Sequence, residues 1–127
     1  MSLQTVLGTC MAHFQASPLC EHADVLETKI FSETQFFFKI RAILTGGYQL
    51  QARIYVNHDH IDYAYQLFTE FPVLRWDNKE EFPHLSTYPH HHHNETGHVT
   101  DSPLTGMPEQ DMVVVLQAVS RYLLKKQ

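Results

Sequence analysis

The feature that most constrains this fold is a stretch of about fifty residues, Asp24 to Trp76, whose hydrophobic period is two. Val25 to Phe31 and Phe36 to Leu44 are rich in β-branched and aromatic residues. Leu50, Ala52, Ile54 and Val56 alternate with Gln49, Gln51, Arg53 and Tyr55. Successive side chains of a strand point to opposite faces, so this alternation marks one buried and one wetter face. Ser32-Glu33-Thr34 is a turn between the first two strands. Thr45-Gly46-Gly47 supplies the positive φ values of a tight connection before Tyr48. Asn57 to His60 is the next turn, and Ile61 to Phe68 the next strand. Pro72 cannot donate to a ladder, so a short last strand follows at Val73 to Asp77. The expected product is a curved antiparallel meander of about five strands.

The period changes at both ends. Leu3, Val6, Leu7, Cys10, Met11 and Phe14 form one helical stripe, capped by Ser2 and stopped by Ser17-Pro18. Pro108 suits a first helical position, and Glu109 and Asp111 suit the positive end of the helix dipole. Met112, Val115, Leu116, Val119, Tyr122 and Leu123 make the second stripe, with Lys125 and Lys126 at its negative end. The sequence therefore predicts a single α+β domain over residues 1–127, a sheet packed with an N-terminal and a C-terminal helix. Residues 78–107, rich in histidine, proline and small polar residues, read as one loop of roughly thirty residues, a length usual for functional or disordered segments.

Composition bounds the function. The chain is 43% hydrophobic and 18% charged, as ordinary globular proteins are. No apolar run reaches the roughly 18 residues of a membrane helix, and no secretory signal is visible, so a cytoplasmic protein without a membrane partner is expected. Cys10 and Cys20 lack zinc-type spacing and read as reduced thiols. The net charge of −5 argues against a broad basic face gripping nucleic acid. The ten histidines, which charge in mild acid, soften that argument.

Candidate chemistry gathers around Arg75-Trp76-Asp77-Asn78 and the run His90-His91-His92-His93. Imidazole loses hydration on burial and needs partners for both nitrogens, so four in succession cannot all sit in a core. On an extended segment His90 and His92 share one side, His91 and His93 the other, with His98 near enough in sequence to join them. Asp77 ends a strand, where a rigid sheet can hold a carboxylate against the returning run. A carboxylate beside an imidazole fixes its tautomer and raises its pKa, as a general acid or base requires. The candidate catalytic set is Asp77, His90, His91 and His93, with Arg75, Arg53 and Asn78 for an anionic substrate. It suits metal-free phosphodiester cleavage by one base, one acid and one arginine, so no cofactor or metal is called for. Neither His91 nor His93 is expected in the core. Two imidazoles and a carboxylate also permit zinc or iron, although no helical H-x-x-x-H spacing is present. The bland reading is a solvated loop with an Asp77-Asn78 turn. Trp76 reads as a core anchor and His13 and His22 as incidental, while His58 and His60 flank Asp59 in a turn where a second metal site is the lesser reading.

At these residues the chain resembles the TumE-type toxins of prokaryotic toxin–antitoxin systems. Their pattern is a sheet ending R-[YF]-D-N, a bend, then T-[FY]-P-H-H-K-H, a serine-containing linker and a last helix. Arg75-Trp76-Asp77-Asn78, Pro83, Thr87-Tyr88-Pro89-His90-His91, His93 and Ser102 follow it, and Asp62-Tyr63-Ala64-Tyr65 is similar to the preceding Y-x-Y strand. Glu81-Phe82 stand where a histidine pair is common, and His92 where lysine is usual. The resemblance implies a toxin with a cognate antitoxin, a small DNA-binding protein; the His/Asp set adds the expectation of RNA or a nucleotide as substrate. A non-enzymatic interaction protein or a metal-binding homologue is the alternative. The wetter face of the third strand makes a homodimer a further expectation.

Overall fold

Alternation sets the sheet. In a computed structural model that describes residues 1–126, the chain runs α1 (Leu3–Ala16), β1 (Cys20–Ser32), β2 (Gln35–Leu44), β3 (Gln49–Asn57), β4 (His60–Phe68), β5 (Pro72–Asp77), β6 (His91–His93), β7 (Val99–Thr100) and α2 (Pro108–Lys125). All strands join one antiparallel sheet in sequence order. The Thr45–Gly47 turn contains Gly46 and Gly47 at φ of 78° and 82°. These values are strained for any residue with a Cβ.

Phe36, Phe38, Ile40 and Ala42 on β2, Leu50 to Val56 at every second residue of β3, and Tyr63, Tyr65 and Leu67 on β4 are all buried. They meet the buried faces of α1 (Val6, Cys10, Phe14) and α2 (Met112, Val115, Val119), so both helices cover one side of the sheet. Ser2 caps α1 through its Oγ, which accepts from the Thr5 N–H at 3.2 Å. Asp111 does more than complement a dipole. It is buried and accepts from the Thr105 and Gly106 N–H groups at 2.9 and 2.8 Å, stapling the incoming loop to α2. No helix among the described residues is long and apolar enough to cross a membrane.

The strand count corrects the expected five to seven. The two extra strands come from the segment read as loop, 78–107. β6 and β7 have three and two residues and no alternating apolar pattern. Their pairing is set by the exposed edge of β5 and not by their own propensity. The rest of the segment is knitted back: Thr87 Oγ1 donates to the His90 carbonyl at 2.8 Å and accepts from the Ser102 N–H at 3.0 Å.

Candidate functional site

β5 and β6 pair so that Asp77 faces His91, Trp76 faces His92, and Arg75 faces His93. Because β5 alternates, Arg75 and Asp77 project from the open side of the sheet while Trp76 enters the helix-covered side, where it is buried. The histidine run divides in the same way. His92 stacks on Trp76 with ring centroids 4.7 Å apart, and its Nδ1 lies 3.1 Å from the Arg75 carbonyl. His90 stacks on Tyr63, with Nδ1 2.7 Å from the Tyr63 hydroxyl. His91 and His93 join Asp77.

Asp77 is buried, and both of its oxygens are held. Oδ2 accepts from Arg75 Nε at 2.8 Å, and Oδ1 accepts from the Lys79 N–H at 2.9 Å. His91 Nε2 stands 3.0 Å from Oδ1, and His93 Nε2 stands 3.8 Å from Oδ2. The His91 approach lies off the line that a ring N–H requires, so Nε2 is close to the carboxylate without a hydrogen bond. Its Nδ1 lies 3.2 Å from the Pro89 carbonyl, which can accept a ring N–H. Phe82 packs edge-on against both rings, at 4.7 Å from His91 and 6.0 Å from His93.

Accessibility separates the two imidazoles. The His91 side chain is 1% exposed and the His93 side chain 33%. The expectation that His91 lies outside the core is therefore overturned: the β5 ladder and Phe82 enclose it. His93 borders open space, and its pKa is lowered, first by burial and then by neighbouring His91, with Asp77 opposing. His90 and His92 are lowered as well, in both cases chiefly by burial.

Of the residues singled out from the sequence, Asp77, His91, His93 and Arg75 come together. His90 does not, since it serves the Tyr63 side. Asn78 is adjacent, but its amide is engaged: Nδ2 donates to the Ile61 carbonyl at 2.7 Å and Oδ1 accepts from the Tyr63 N–H at 3.1 Å. It extends the β4–β5 ladder with a side chain in place of backbone. Arg53 is exposed on β3 and shares a cleft of about 330 Å³ with Asp62, Arg75, Asp77, Asn78 and Lys79. His98 sits at the β6–β7 turn, with its Nδ1 2.7 Å from Thr96 Oγ1. Phe82 and Gln66, which accepts from Arg75 Nη1 at 2.9 Å, were not found from the sequence. The period of β4 could have flagged Gln66; nothing local marks Phe82.

The carboxylate and two imidazoles could also act as metal ligands, because one donor atom from each lies within 4.8 Å of the others. Two imidazoles and one carboxylate are a familiar donor set for zinc or iron. Cys10 is no nucleophile: burial pushes its thiol up to about 12.

A family model described as "Toxin TumE" matches residues 11–123, from within α1 to near the end of α2. No curated protein and no solved structure matches the chain.

Proposed function

The chain belongs to the TumE toxin family, and on that premise we propose that it is the toxin of a toxin–antitoxin pair that cleaves a phosphodiester of RNA or of a nucleotide at Asp77, His91, His93 and Arg75. The observation that carries this reading is a half-buried imidazole, His93, beside a buried carboxylate and a guanidinium that themselves line an open cleft. Burial keeps His93 unprotonated near neutral pH, as a general base must be. In RNA it takes the proton of the 2′-hydroxyl. The freed oxygen forms a bond to phosphorus as the bond to the 5′-oxygen breaks, and the leaving oxygen takes its proton from water. Arg75 keeps further guanidinium donors beyond those used on Asp77 and Gln66, and these face the charge that builds on the phosphoryl oxygens. His91 is too enclosed to touch substrate. It acts through Asp77 as a positioning residue. Asn78 holds the strand end that presents Asp77, and Arg53 attracts the anionic substrate across the cleft. His90 acts on the other side of the sheet by fixing Tyr63.

The test is growth arrest on induced expression. His93→Ala is expected to abolish arrest at unchanged protein level, and co-expression of the antitoxin, a small DNA-binding protein, to relieve the wild-type effect. Full arrest by His93→Ala contradicts the reading. A second reading, favoured by the 4.8 Å grouping of donors, is a metal-dependent hydrolase. Metal analysis of untagged protein decides it: stoichiometric zinc or iron lost together with His91 and His93 supports the metal, and traces only reject it.

A further inference from the structure

The helix-free side of the sheet is not uniformly polar. The cleft at Asp77 shares Phe37, Arg53 and Tyr55 with a second cleft of about 330 Å³, lined also by Glu27, Lys29, Phe31 and Lys39. Together they make one groove from the end of β5 across β4, β3 and β2 to β1. Strands lie about 4.8 Å apart, so five strands span roughly 19 Å. The groove lining carries five cations, Lys29, Lys39, Arg53, Arg75 and Lys79, against three acids, Glu27, Asp62 and Asp77. That excess is notable in a chain whose net charge is −5. Aromatic rings, Phe31, Phe37 and Tyr55, are interleaved with it, and the Arg53 guanidinium lies 5.3 Å from the Phe37 ring centroid. Phe37 and Tyr55 are half-buried on this face, so part of each ring is reachable from the groove.

We infer that this groove is a binding track for single-stranded RNA, which crosses the sheet from β1 and delivers one phosphodiester to Asp77 and His93. The inference deepens the phosphodiester reading and rests on it for the identity of the ligand. A mononucleotide would need only the Asp77 end. The cations beyond it, at Arg53, Lys39 and Lys29, are spaced for further phosphates, and the rings between them offer flat faces that tolerate any base. Duplex RNA is excluded by shape, since its bases are already stacked on one another. Glu27 restrains the track: its carboxylate stands 3.3 Å from Lys29 Nζ and 3.9 Å from Lys39 Nζ, so one acid occupies two phosphate-binding groups.

The experiment is fluorescence anisotropy with a labelled single strand of about a dozen 2′-O-methylated nucleotides, a length within the usual range of single-strand site sizes. The 2′-methyl groups block cleavage, so binding is read alone. Wild-type protein is expected to bind with a slope of log affinity against log salt of about −3, at roughly 0.7 for each phosphate neutralised. The triple variant Lys29→Gln/Lys39→Gln/Arg53→Gln should bind roughly a hundredfold more weakly with a slope shallower by about 2. Tyr55→Ala should lose roughly tenfold through stacking. Glu27→Gln should bind several-fold more tightly, the opposite sign from a merely structural role. Lys29 and Arg53 are exposed and Lys39 is half-buried on the helix-free face, so the changes leave the core untouched and the fold does not obscure the result. An affinity within about twofold of wild type in the triple variant overturns the track. So does equal competition by a mononucleotide or a duplex, or a dimer of this chain that the triple variant dissolves while no RNA binds. Binding without cleavage of the unmodified strand removes the catalytic reading and leaves the track. Cleavage at unaltered affinity in the triple variant does the reverse.

Discussion

The two faces of the sheet are built by the same strands and the same alternation, yet one is closed by two helices and the other carries the proposed site. On the closed face β2 to β5 contribute apolar side chains, and even the histidines there have structural partners: His90 on Tyr63, His92 on Trp76. On the open face the positions in register hold Arg75, Asp77, His91 and His93, which contact one another. Neighbouring residues of identical type thus take opposite roles because a strand turns each side chain over from the last. The imidazole run has a period, and the period sorts its rings between the two faces.

The comparison breaks most sharply on stability. Phe38→Ala on the closed face should lose about 3–5 kcal/mol in denaturant unfolding, whereas Arg53→Ala on the open face should stay within about 0.5 kcal/mol. Equal losses would mean that the open face is also a packed surface. Between those extremes lies His91, a buried residue on the open side. His91→Ala should lose both activity and about 1–3 kcal/mol, because Asp77 is left buried with less compensation. A variant that keeps wild-type stability would place His91 in solvent.

Acid should weaken both faces together. His90, His92 and His93 have folded-state pKa values below the ordinary 6.5. Below 6.5 the unfolded chain takes up protons that the folded chain still refuses, so stability falls as pH drops through 6.5 toward the lowered values. Thermal melts over that window check the sign; a rise in stability contradicts it. Activity resting on neutral His93 should persist somewhat below pH 6.5 and fail at lower pH. The smallest effect belongs to His98→Ala at the exposed β6–β7 turn, within about 0.5 kcal/mol and with no change in growth arrest.

Much of this was legible in the chain. Both helical stripes, the Ser2 cap, the Gly46-Gly47 turn and the first five strands follow from period and turn chemistry. The same period separates His90 and His92 from His91 and His93. Three things were hidden. β6 and β7 are strands only because β5 offers an unpaired edge, a long-range cause that no local propensity records. The enclosure of His91 depends on Phe82, which arrives from an irregular bend. The engagement of the Asn78 amide by Ile61 and Tyr63 depends on where β4 begins, and only the fold brings those groups together.

Single-turnover cleavage of a single-stranded RNA by purified His93→Ala protein, alongside its thermal melt, tests the central claim most directly. The account predicts a loss of at least about a hundredfold in rate with the melting temperature unchanged. Cleavage at the wild-type rate by a well-folded His93→Ala protein would contradict it.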